Sequence, residues 1–387
     1  MPKPRYNLIL CLSALLLLLL LCLTPLFLKP HIYEWVFIYY MSYDNDLNPF
    51  GRTILNDLNK GIINSKIAVA VQTDFIDSKG MKRIGLYYSN GKSQRQEITL
   101  KSEDSADPAE LKKYLKWVHK NFKANNYCII FLNHGGTLNH MCLDEKPFKK
   151  QNENKQFTSG KWLNANKVGK ILREFNQKTD GKVRLFFLQQ CARAIIQNLY
   201  NFTDSAPYIM ASPLRVDAPN TYYTKTLISV ANNPNITVQT LVQTIMQEDE
   251  HYTFYTLISN NELKKLPEKL KPVLNSFSQN SRLNQPKSCS PIFEFESEKF
   301  YDLKSFFQAL NSANNNIADE ELNRFFNWCD NRLIVSKQHR NLDPSTESPY
   351  SGLSIYVPSN QNDIGLYESL PLYQQTNLEN TMKLLFE

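Results

Sequence analysis

No phosphate-cradling glycine loop, no G-x-G-x-x-G fingerprint and no G-x-S-x-G elbow occurs in the 387 residues. Their absence removes the common sequence signatures of nucleotide binding and of serine hydrolases. No internal repeat is present, which excludes solenoids and propellers. Cysteine is sparse, with seven in all. Cys11 and Cys22 sit in the N-terminal leader, while Cys128, Cys142, Cys191, Cys289 and Cys329 are scattered and odd in number, so there is no dense disulfide framework. The net charge of +7 is spread along the chain, and its densest basic spot is only KPFKK, Lys146 to Lys150. A basic stripe interleaved with aromatics is missing, so nucleic acid is not an expected partner. With 42% hydrophobic and 21% charged residues, the chain also lacks the polar bias of a disordered protein and is long enough for a sizeable core.

Two metal-like patterns fail on inspection. HGGTLNHMC offers His134, His140 and Cys142, but at no common zinc spacing and with no second pair. DNDLNPFG, from Asp44, opens like a calcium loop, yet Pro49 stands where the loop requires glycine and Leu55 where it requires glutamate.

What is there begins with the leader. Residues Leu8 to Leu28 carry no charge, and Lys3 and Arg5 precede them. Such a run is long enough to span a bilayer and also reads as the apolar core of an export signal. Residues 1–30 are therefore read as a signal or membrane anchor. Basic residues ahead of the run place residues 31–387 outside the cytoplasm, either secreted or tethered to the membrane.

Beyond the leader, apolar runs alternate with helical patterns. Glu34–Ser42, Lys66–Asp74, Arg83–Asn90, Tyr127–Gly136, Val183–Cys191, Pro207–Leu214 and Tyr350–Ser359 read as strands. Helical patterns fall between them. One covers Asp107–Phe122, with Asp107 as N-cap and Pro108 at the first position. ARAIIQNLYNF, directly after Cys191, reads as a helix, and Thr221 to about Gln285 reads as mixed helical. Continuous apolar strands separated by helices predict a mainly parallel sheet covered on both faces.

In such sheets function sits at the carboxyl ends of strands. Two apolar runs end in reactive residues: IIFLNHGG delivers His134 and LFFLQQC delivers Cys191. Amide cleavage by a thiol requires a nucleophile, a proton donor for the leaving amine and donors for an oxyanion. Cys191 supplies the first and His134 the second, and the N–H groups of Gly135 and Cys191 are candidates for the third. A helix starting just after Cys191 would lower its thiol pKa. Cys128, inside an apolar run, reads as core.

The segments FLNHGG, FFLQQC, YIMASPL, APNTYYTKTL, YSGLSIYVP and YYMSYDNDLNPF together resemble the clostripain family of cysteine peptidases, in the caspase-like clan, over about Trp35 to Pro358. The resemblance implies a caspase-like α/β/α sandwich with extra helical segments and a His134–Cys191 dyad acting on a protein or peptide substrate. It also implies cleavage after basic residues and an internal cut between the His and Cys strands, for which Lys149 and Lys150 are the candidate positions. Calcium enters by resemblance only, with no site traceable. Many members carry aspartate two residues before the nucleophile, where this chain has Gln189. The acid of a basic-selective pocket would then have to come from Asp217, beside Arg215. A relative that keeps the fold but only binds, anchored at the membrane, is the rival reading.

Overall fold

The computed structural model describes residues 31–145, 160–286, 288–340 and 350–387. The leader and the proposed cut at Lys149 and Lys150 lie outside the described residues. Among those described, no helix is long and apolar enough to cross a membrane.

The first long apolar run forms β1 (Ile32–Tyr43). Its side chains alternate between two cores. Val36, Ile38 and Tyr40 enter one hydrophobic cluster, and Trp35, Phe37, Tyr39 and Met41 enter the other. This period-two split across two buried faces is why the run has no polar face. Strands β2 (Ile67–Phe75), β3 (Lys82–Ser89), β4 (Lys92–Thr99), β5 (Lys123–Leu132), β8 (Val183–Gln189), β9 (Tyr208–Ala211), β10 (Phe254–Ser259) and β13 (Ile334–His339) complete a nine-stranded sheet in the order β13-β10-β9-β8-β5-β1-β2-β3-β4. Two small sheets stand apart from it. The hairpin of β6 (His140–Asp144) and β7 (Lys161–Asn164) is one, and β11 (Phe293–Phe295), β12 (Glu298–Asp302) and β14 (Ser354–Val357) form the other.

The pairs β1/β2, β5/β8 and β8/β9 are parallel, and the outer strands β3, β4, β10 and β13 pair antiparallel. The helices α1 (Asn48–Lys60), α4 (Tyr223–Asn232) and α5 (Val238–Glu248) contribute to the Trp35 cluster, while α2 (Pro108–Asn121) and α3 (Ala165–Lys178) contribute to the Val36 cluster. Asp107 caps α2, accepting from the Ala109 N–H at 2.9 Å, as its sequence predicts.

Two expectations need correction. The stretch from Thr221 to Gln285 is not wholly helical, because FYTLIS forms β10 against β9. No helix begins at Cys191 either. Ala192 adopts a left-handed conformation (φ 48°), and helix resumes only as the four residues Ile196–Leu199. The chain must turn sharply there because the Ala192 N–H is taken by the Leu214 carbonyl (2.8 Å) and the Ala194 N–H by Ser212 (2.8 Å), which draws it along the continuation of β9.

Strand order reverses between β1 and β5: β2 follows β1 on one side, and β5, β8 and β9 run off the other. A crevice opens at such a switch point, at the carboxyl ends of the strands.

Candidate active site

Strands β5 and β8 are parallel neighbours in register, with Leu132 opposite Gln189. The residues just past each end, His134 and Cys191, therefore emerge side by side. Both line a cleft of about 400 Å³. Tyr43, Asp46, Leu47 and Phe50 close it from the end of β1 and the start of α1, Arg215 to Ala218 from the loop after β9, and Phe293 and Phe295 from β11. Among the sequence-derived candidates, the structure brings His134, Gly135, Gln189, Cys191 and Asp217 to this one cleft.

The His134 Nε2 lies 2.6 Å from Asp46 Oδ1. Its backbone is tied down as well. Asn133 Oδ1 accepts from the His134 N–H at 2.5 Å and from Asn45 Nδ2 at 3.0 Å, so the β1 exit loop and the histidine share a buried amide pair. The carbonyl of His134 accepts from the Cys142 N–H (3.1 Å) and from the buried Gln190 Nε2 (2.9 Å).

Gly135 faces Met141 as an isolated antiparallel pair, with flanking bonds Gly136 N–H to His140 O (3.2 Å) and Cys142 N–H to His134 O. That is the non-hydrogen-bonded type of pair, in which the facing residues turn their own N–H and C=O outward. The Gly135 N–H is thereby directed away from β6. Neither it nor the Cys191 N–H donates to another described residue. A Cβ on residue 135 would stand 2.1 Å from the Cys191 carbonyl oxygen. Only glycine allows the two loops to come this close.

The Cys191 thiol contacts the Val216 backbone, with its sulfur 3.4 Å from the N–H and 3.6 Å from the carbonyl oxygen. Burial pushes its pKa above the ordinary thiol value, opposed by the Val216 N–H and by Arg215 and Arg193. This reverses the expectation of a helix-lowered pKa, since no helix terminus lies there.

Gln189 is buried and fully engaged as a donor. Its Nε2 donates to Asn220 and to the Tyr223 hydroxyl (3.0 Å), and its Oε1 accepts from the Tyr222 hydroxyl (2.6 Å). Asn220 in turn donates to the buried Asp249 (2.8 Å). Asp217 is paired with Arg215 at 2.9 Å. The sequence reading missed three residues: Asp46, Asp249 and Arg193. Asp46 is the one a motif could have found, because it lies in DNDLNPF directly after β1.

One group of described residues has oxygens suited to a hard cation. Carboxylate oxygens of the buried Asp44, Asp74 and Asp144 lie within 4.8 Å of one another. Asp144 also accepts from the Ser105 N–H (2.8 Å) and hydroxyl (3.1 Å). The zinc-like His140 is instead held by Thr137 (2.8 Å) and stacked on Trp162.

A family model described as the clostripain family matches residues 39–380. No curated protein matches the chain. Three solved structures resemble it closely in fold. An inactive zymogen C11 protease from Parabacteroides distasonis is 16% identical, with a TM-score of 0.66 over 90% of this chain and 99% of that one. A secreted C11 cysteine protease from Bacteroides thetaiotaomicron, in complex with an irreversible peptide inhibitor, is 14% identical, with a TM-score of 0.66 over 89% and 99%. A second structure of a secreted C11 cysteine protease from that organism gives 14% and 0.67 over the same shares. At these identities the likeness establishes the fold, a caspase-like α/β/α sandwich.

Proposed function

Because the chain belongs to the clostripain family of cysteine peptidases, we propose that it hydrolyses peptide bonds with Cys191 as nucleophile and His134 as its acid–base partner. The observation that supports this assignment is their meeting in one cleft, at the ends of adjacent parallel strands.

With its pKa raised above the ordinary thiol value, the half-buried Cys191 thiol is neutral at rest, so its proton has to leave as the sulfur attacks. His134 accepts it. A carbon–sulfur bond forms, the carbonyl electron pair moves onto oxygen, and the oxyanion takes the N–H groups of Gly135 and Cys191. When the carbonyl re-forms, the carbon–nitrogen bond breaks and the departing amine takes the proton from His134. Water, deprotonated by His134, then hydrolyses the thioester, and the sulfur leaves and regains a proton. Asp46, on Nε2, leaves Nδ1 of the imidazole for this traffic. Calcium, when bound, would be held by Asp44, Asp74 and Asp144, where it would offset three buried acids and stiffen the β1 exit loop. Labelling with a thiol-reactive peptide probe tests the nucleophile. The tag belongs on Cys191, and a tag on any other cysteine contradicts the assignment.

Of the two exposed acids lining the cleft, Asp46 is engaged with His134, which leaves Asp217 for a substrate cation, and Gln189 offers an amide in place of a charge. A basic residue before the scissile bond would displace Arg215 from Asp217, and charge-assisted bonds are roughly twice as strong as neutral ones. Fluorogenic peptides ending in Arg, Lys, Gln or Ala check this. Arg and Lys should turn over about fivefold or more faster in the wild type, consistent with ~1 kcal/mol for a partly exposed pair, and Asp217→Asn should erase the difference. Equal turnover of all four peptides contradicts a basic preference.

Action outside the cytoplasm is supported by the basic residues ahead of the apolar leader, and the two Bacteroides neighbours are described as secreted. Retention of both His134 and Cys191 disfavours a binding-only role.

A further inference from the structure

Arg193 lies two residues after the nucleophile and is completely buried. Among the described residues, no carboxylate hydrogen-bonds to it. Instead it donates to five backbone carbonyls drawn from two loops. Nε donates to Cys191 O (3.1 Å) and Ala192 O (3.0 Å). Nη1 donates to Thr137 O (3.1 Å) and His140 O (2.6 Å), and Nη2 to Gly136 O (2.6 Å). One set of acceptors belongs to the turn of the nucleophile, the other to the turn that follows His134 and Gly135.

A buried guanidinium is costly to desolvate, and burial pulls its pKa down to about 10, with the buried Glu298 the leading opposing influence. It therefore remains a cation at neutral pH. Carbonyl dipoles alone satisfy it, and they satisfy it only while both turns keep their present spacing. The spacing is tight on its own account, since a Cβ at Gly135 would meet Cys191 O at 2.1 Å and Arg193 Nε at 3.0 Å. A planar fork with fixed donor directions suits this task, and an ammonium does not.

We propose that Arg193 is a positioning residue that locks the histidine turn to the cysteine turn, and so holds the Gly135 and Cys191 N–H groups in register with the attacking sulfur. It touches neither substrate nor reacting atoms. The inference rests on the His134–Cys191 reading and adds to it the residue that sets the distance between the two halves of the site.

The test compares Arg193→Met, which loses charge and fork, with Arg193→Lys, which keeps the charge and loses the fork. Steady-state kinetics use whichever of the Arg, Lys, Gln or Ala fluorogenic peptides the wild type hydrolyses fastest, with the melting temperature measured alongside. Displacement of catalytic groups by about 1 Å costs on the order of a hundredfold. The expected result is a kcat lowered about a hundredfold in Arg193→Met and about tenfold in Arg193→Lys, with KM within about twofold of wild type in both. A folded Arg193→Met with near wild-type kcat overturns the inference, as does a change confined to KM. If Arg193→Met does not fold, Arg193→Lys decides, and wild-type kcat in that variant overturns it. If the wild type hydrolyses none of the peptides, it is the dyad reading that has failed, and the inference falls with it.

Discussion

At the scale of single residues, the site is governed by what surrounds two groups, Cys191 and Gly135. Burial holds the Cys191 thiol protonated, with Arg215, Arg193 and the Val216 N–H pulling the other way and Asp217 adding to the rise. The thiolate is therefore the minor form at neutral pH, and its fraction grows as pH rises. Alkylation of Cys191 by iodoacetamide should accelerate steadily from pH 6 to pH 9, about tenfold per pH unit where the thiol dominates. A rate independent of pH across that range would mean a preformed thiolate and would contradict the neutral resting state. Gly135 is fixed by contact with the Cys191 carbonyl. Gly135→Ala has to push the two turns apart, because the obstacle is backbone and cannot rotate away. It should cost about 1 to 3 kcal/mol of stability as an overpacked site and lower kcat about a hundredfold. Turnover within about twofold of wild type would show that the turns need not touch. His134, Gly135 and Cys191 could be read from the sequence because histidine, glycine and cysteine at strand ends carry chemical meaning. The left-handed turn at Ala192 gave no signal, since alanine does not advertise positive φ. Arg193 gave none either, because the Gly136, Thr137 and His140 carbonyls that take its Nη groups come from residues far away in the chain.

At the scale of elements, strands buried on both faces were the readable part. β1, β2, β5 and β8 each contain an unbroken apolar run, and that pattern follows from helices covering each side of the sheet. β10 was hidden because FYTLIS follows a helical pattern without a glycine or proline break, although its aromatic and β-branched residues favour a strand. β13 was hidden in the same way behind the helix that ends at Trp328. Helix α2 carried a complete start signal in its N-cap and proline, and Asp107 does accept from the Ala109 N–H. Asp107→Ala should therefore cost about 1 kcal/mol and lower the melting temperature by roughly 2 °C in a protein of this size. Its catalytic rate should not change, since α2 stands away from the cleft. An unchanged melting temperature would show that the cap bond contributes nothing, and a lost rate would tie α2 to the site.

At the scale of the whole molecule, topology turns two strand ends into a site. β5 and β8 lie side by side beyond the point where strand order reverses, and the loop after β1 folds over the same crevice, carrying Asp46 to His134 and Asn45 to Asn133. A sequence pattern names such strands but does not state which are neighbours, so their adjacency had to come from the fold. The central claim is that this crevice cleaves peptide bonds through Cys191 with His134. It is tested most directly by the hydrolysis rate of the purified wild type, Cys191→Ala and His134→Ala on the same fluorogenic peptide, with melting temperatures to show that all three are folded. The account predicts a folded Cys191→Ala with no hydrolysis above background and a His134→Ala slowed at least about a hundredfold. Hydrolysis at the wild-type rate by folded Cys191→Ala would contradict it.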